Sequence, residues 1–166
     1  MYKLNKTQRA NKMATRSNIA MKTADGKIVS VYCHWDGYVA NNGKILLENY
    51  ADVDKIEALV ALGSISSLGT AIGEQQDFMD RDTQKDEWTL FYSRDRGEEL
   101  SIQEYADIPS WINDMEEYAY LWNGTEWLVN DHGATDANGY PIFDLLSTVV
   151  PIELAAMEAR IAASQN

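Results

Sequence analysis

The stretch IAMKTADGKIVSVYCHW, Ile19–Trp35, decides the fold. Ile19 and Met21 alternate with smaller or polar residues, Ala24-Asp25-Gly26-Lys27 interrupts them, and Ile28, Val29, Val31 and Tyr32 follow. An Asp-Gly pair between two β-prone runs is the strongest short-range hairpin signal, because glycine accepts the backbone that a tight turn needs. The chain therefore opens on a hairpin, and Tyr32–Trp35 finishes its second strand. Gly37 then breaks the strand and opens a loop through Asn41-Asn42-Gly43.

Working outward, Lys44–Tyr50 carries Ile45, Leu46, Leu47 and Tyr50 and reads as helix. Asp52 is placed as the N-cap of a further helix with Val53, Ile56, Leu59 and Val60 at helical spacing. Gly63 stands where a helix-ending glycine belongs. Ile65–Gly69 is expected as a connector packed on the core. Residues 73–87 are polar and acidic and are expected to form a mobile loop, with Phe78 and Met79 as possible anchors. Trp88–Tyr92 reads as a strand running directly into Ser93–Glu99. A helical turn is expected after Pro109, and Tyr118–Trp122, Asn123-Gly124 and Trp127–Val129 predict a second hairpin. A loop over 130–139 follows. The end reads as helix over Phe143–Val149, then a second helix with Pro151 at its first position. Leu154, Met157 and Ile161 share one face of that helix.

Two strands, then helices, then strands again argue an α+β fold: a small antiparallel sheet built from hairpins, with helices packed on one face. The expected organisation is a flexible basic extension over 1–12 and a single α+β domain over 13–166, with C-terminal helices over 142–163. At 166 residues the chain is long enough to bury a real core. No apolar run approaches the ~18–20 residues that cross a bilayer, so no membrane partner is expected. A single cysteine fits a reducing cytoplasm.

Charge is the strongest bulk signal. The formal net charge is -12. The first 22 residues hold six of the 14 basic residues and none of the 26 acidic ones, so the remainder carries a formal -18. A body this acidic repels nucleic-acid backbones, which excludes direct nucleic-acid binding by it, and suits a basic protein surface. Solubility alone is the plainer account of the same charge.

Chemistry concentrates in Tyr32-Cys33-His34-Trp35-Asp36-Gly37-Tyr38. Strand alternation would put Tyr32, His34 and Asp36 on one side, with Cys33 and Trp35 on the other. Imidazole beside carboxylate is the pairing that acid–base work needs. Trp35 and Tyr38 offer faces for a base or another aromatic ligand. A strand end where aromatics merely pack is the alternative. Cys33 and His34, being neighbours on a strand, point apart and are not a nucleophile pair. In Arg94-Asp95-Arg96-Gly97-Glu98 two alternating arginines can clamp phosphate or carboxylate. A surface salt-bridge cluster is the plainer reading.

With two histidines about a hundred residues apart, no metal site is expected. The glycine-rich loop at 130–139 fails the calcium pattern, with Ala134 and Leu145 at the first and last ligand positions. Nucleotide-loop, nucleophile-elbow and zinc-hydrolase motifs are missing from the sequence, and no cofactor is expected. The alanines of the C-terminal helix, Ala155, Ala156, Ala159 and Ala163, allow a homodimer, though a core helix is the plainer reading.

The runs Met13–Ala20, Tyr32–Tyr38, Gly43–Tyr50, Gly63–Leu68 and Tyr92–Glu98 together resemble a family of small proteins encoded mainly by tailed bacteriophages and some bacterial mobile elements. The resemblance covers roughly residues 13–100. Where relatives carry a proline-glycine loop after the tyrosine-rich heptad, this chain has Val39-Ala40-Asn41-Asn42. The resemblance implies context rather than mechanism: an accessory protein in the host cytoplasm that binds and modulates a host protein, by host takeover or anti-defence, with nucleic-acid mimicry as one route. Alternatives are a nucleotide-binding or sequestering protein, a small hydrolase of a phosphorylated signal, or a virion component. The first two of these would use the same Tyr32–Tyr38 and Arg94–Glu98 segments.

Overall fold

A computed structural model describes residues 14–165. The basic extension expected over 1–12 lies outside the described residues. The first hairpin forms as read: β1 (Ser17–Lys22) pairs antiparallel with β2 (Ile28–Cys33), Ser17 opposite Cys33 and Lys22 opposite Ile28. The second forms from β6 (Tyr118–Trp122) and β7 (Trp127–Asp131). What joins them is a parallel pairing of β1 with β6, Ile19 opposite Tyr120. A second parallel contact brings β3 (Ile65–Ser67) to the end of β2. With β4 (Leu90–Phe91) and β8 (Asp144–Leu145) the order is β4-β3-β2-β1-β6-β7-β8, and β5 (Gln103–Tyr105) pairs with the start of β2. The class is α+β, with a mostly antiparallel sheet of eight strands.

Period-two alternation assigns the faces. Ile19, Met21, Val31, Cys33, Tyr120, Trp122 and Val129 point to one side. There they meet Leu46 of α1 (Lys44–Asn49), Ile56, Leu59 and Val60 of α2 (Val53–Ala61), and Leu146 and Val150 of α5 (Leu146–Ser164). A fully buried isoleucine or leucine of this kind contributes about 1.5–3 kcal/mol. The Asp52 cap holds, its carboxylate accepting from the Asp54 N–H at 2.7 Å. Ala20, Ile28, Ala119 and Leu121 point to the other side, where Trp111 of the short α4 (Ile108–Trp111) and Phe143 cover them.

Three expectations are corrected. Ile65–Ser67 is a strand rather than a plain connector. The strand before the Arg-Asp-Arg run ends at Phe91, and Tyr92–Arg96 is a one-turn helix, α3. The C-terminal helix is one unit with Pro151 inside it, because Asp144–Leu145 is drawn into the sheet against β7 and Leu146 into the core. Pro151 removes the N–H that the Ser147 carbonyl would accept. Both residues face solvent, so water can serve that carbonyl. Among the described residues no helix is long and apolar enough to cross a membrane.

Candidate functional site

The tyrosine-rich heptad divides into a structural half and an outward half. Cys33 closes β2 with its thiol in the helix-covered core, and burial pushes that thiol up to about 11. Beyond it the strand gives way to a loop in which Asp36 takes a positive φ of 55°. Gly37 lies against the start of β1: its N–H donates to the Thr15 carbonyl at 2.8 Å, and a Cβ there would sit 2.8 Å from Ser17 Cβ. The Tyr120 hydroxyl, from inside the core, donates to the Gly37 carbonyl at 2.6 Å. Buried Asn42 holds the other side, donating to Ser17 Oγ at 3.2 Å and to Cys33 Sγ at 3.4 Å. Buried polar groups must be paired, and these pairings fix the corner.

The outward half is built on Tyr32. Its hydroxyl and His34 Nδ1 are 2.6 Å apart. The Trp35 ring meets the imidazole edge-on at 4.5 Å between centroids. Burial, then the charge of Arg16, holds His34 below its ordinary value. Burial raises the Tyr32 phenol; Arg16 opposes this, while Glu116 and Tyr92 add to it. Of the expected phenol–imidazole–carboxylate group, two members meet. Asp36, turned by its left-handed backbone, makes no hydrogen bond to His34. Trp35 and Tyr38 keep 39% and 38% of their surface exposed, enough to offer a ring face to a ligand.

The Arg94–Glu98 segment is arranged differently from the alternating clamp. Because it is helical, Arg94 turns inward. Its Nε and Nη2 donate to the Asp95 carboxylate at 2.9 and 3.2 Å. Nη1 donates to the carbonyls of Ile72 and Gly73 at 3.0 and 3.1 Å, and Nη2 also to that of Thr89 at 2.9 Å. A guanidinium has five N–H donors, and these bonds engage all of them. Asp95, with a wholly buried side chain, also accepts from the Gln76 N–H at 2.8 Å and the Phe91 N–H at 2.7 Å. This pair staples the 71–78 loop to the sheet, so that loop is tied rather than free. Arg94 and Asp95 are thus structural. Arg96 is exposed, its guanidinium 5.1 Å from the Phe78 ring centre.

The two segments nevertheless meet. After α3, Gly97 adopts φ 78° and returns the chain, so that the Glu98 N–H donates to the Tyr92 carbonyl at 3.1 Å. A cleft of about 390 Å³ results, lined by Tyr32, Ser64, Tyr92, Glu98, Glu99 and Ser101. On the other side of Tyr32 a second cleft, about 430 Å³, includes Asn18, Gln103, Tyr105, Asp114 and Glu116. The Tyr105 hydroxyl donates to Asp114 Oδ2 at 2.7 Å, and burial together with that carboxylate pushes the phenol up to about 12. Tyr92, Glu99, Tyr105, Asp114 and Glu116 were not legible as site residues. Tyr92 and Glu99 carried a signal, as the residues flanking the Arg94–Glu98 run.

Among the described residues no group of three or more His, Cys, Asp or Glu side chains is placed to hold a metal ion. Fold and site together describe an α+β protein with an acidic, tyrosine-walled surface. Comparison with protein-family models, curated proteins and solved structures finds no match.

Proposed function

We propose that this is a non-enzymatic binding protein whose acidic surface docks on a basic surface of another protein, in the manner of a phage accessory protein acting on a host factor in the host cytoplasm. The observation that supports it most directly is the state of the carboxylates. Among the described residues, Lys and Arg ion pairs engage only Asp25, Glu48, Asp95 and Glu104. The chain holds 26 acidic residues, so among the described residues most of the carboxylates stand outside any Lys or Arg ion pair. Unneutralised charge of one sign steers a complementary partner and suppresses like-charged ones. The test is a pulldown with the tagged chain from bacterial lysate at low and at molar salt, followed by titration of the purified partner. A stoichiometric basic protein, bound at low salt and weakened steeply as screening shortens toward ~3 Å, is the expected result. Neutral or acidic partners, or affinity indifferent to salt, would overturn the reading.

A nucleotide ligand is the second reading, supported by the exposed faces of Trp35 and Tyr38. Its phosphate would have to fall to Arg96, since the donors of Arg94 are taken. Thermal stabilisation by nucleotides that is lost in Arg96→Ala would favour it. Turnover in addition would make the protein an enzyme.

A further inference from the structure

A basic partner needs a place to dock, and the cleft beside Tyr32 supplies one. Its walls include two tyrosines, Tyr32 near the end of β2 and Tyr92 at the start of α3, with Glu98 and Glu99 beside them. Neither glutamate is ion-paired among the described residues, and nor are Asp114 and Glu116 in the adjoining cleft. The nearby cations are Arg16, which acts on Tyr32, and Arg96, which acts on Tyr92. Carboxylates alone would attract any cation. The aromatic walls narrow the choice, because a planar guanidinium stacks on a phenol ring while its edge bonds a carboxylate through two N–H groups. An ammonium is a hydrated point charge and gains less from such a slot. The cleft is shallow and open to solvent, and its volume of about 390 Å³ leaves room for a side chain to reach in from a bound segment.

We propose that this cleft receives an arginine side chain from a basic segment of the partner protein. The guanidinium lies against Tyr32 and Tyr92 and bonds Glu98 and Glu99, and the segment continues over Tyr32 toward Asp114 and Glu116. This rests on the basic-partner reading and adds to it a residue, an orientation and a place.

The test uses the full chain and a short fluorescein-labelled arginine/glycine peptide, read by fluorescence anisotropy. Matched peptides carry lysine or the neutral isostere citrulline instead of arginine. The expected result is binding of the arginine peptide about tenfold weaker in the double variant Glu98→Gln, Glu99→Gln. The equal charge change Asp54→Asn, Glu57→Gln, on the exposed side of α2, should cost under about twofold. The lysine peptide should bind several-fold more weakly. All four glutamate and aspartate positions are exposed, so their variants should fold, and a thermal melt of each checks this. Equal losses in both double variants would mean diffuse charge attraction. That overturns the cleft and leaves the basic-partner reading standing. Lysine binding as tightly as arginine overturns the guanidinium assignment. No binding of the arginine peptide overturns the cleft outright. Failure of the broader reading would appear separately, as the lack of any salt-released partner for the parent chain.

Discussion

Arg94–Asp95 and Tyr32–His34 are both dense in ionisable groups, and the fold uses them in opposite ways. The first pair turns inward and spends every guanidinium donor on three carbonyls and one buried carboxylate. The second faces outward beside clefts whose carboxylates form no ion pair among the described residues. The difference teaches that residue type announces chemistry but not direction. What decides is whether the group's hydrogen-bonding capacity is already filled, which only the backbone around it can show.

The sharpest way to break this comparison is Asp95→Ala. It leaves the partly buried Arg94 without its counterion and orphans the N–H groups of Gln76 and Phe91. We expect a loss of about 3–5 kcal/mol in urea unfolding. A loss under about 1 kcal/mol would remove Asp95 from the structural side. Next is Arg94→Lys, which keeps the charge but cannot reproduce a planar fork reaching Ile72, Gly73 and Thr89. A cost of about 2–3 kcal/mol is expected from the same measurement. Tyr32→Phe, on the outward side, deletes only the bond to His34 and should cost about 0.5–1.5 kcal/mol.

The smallest effect concerns His34. Its folded value lies below the unfolded 6.5. The unfolded chain therefore binds more protons in that window, and stability rises with pH there. The His34 contribution is fully present above pH 6.5 and is lost as pH falls below it, progressively down through the folded value. An NMR titration should place the His34 midpoint below 6.5 and move it upward in Arg16→Gln, with burial keeping the larger part of the shift. A midpoint at 6.5 would place His34 in open solvent, and one above it would place a carboxylate beside the ring.

Local signals carried much of the fold. Asp25-Gly26 and Asn123-Gly124 marked both hairpins, and Asp52 and Gly63 bounded α2, because turns and caps are set by neighbours in sequence. The pairing of β1 with β6 was not legible: alternation in Ile19–Met21 states which side chains face the core and says nothing of which strand lies alongside. The one-turn helix at Tyr92–Arg96 was less legible, since Asp95 bonds both to Phe91 beside it and to Gln76, 19 residues back. Pro151 misled for a related reason. Its preference for a first helical turn is local, whereas the capture of Leu146 by the core is not. In the site, Tyr32 and Glu98 were legible as chemistry. Their meeting depends on β3 and β4 lying between their segments, a matter of topology.

The parallel union of β1 and β6 also sets a timetable for the ribosome. Ser17 waits for Tyr118, about a hundred residues later in synthesis. At about 5–20 residues per second, the nascent hairpin stands for roughly 5–20 s with the Ser17–Met21 edge unclaimed. During that interval its row of bare peptide groups is open to any passing strand.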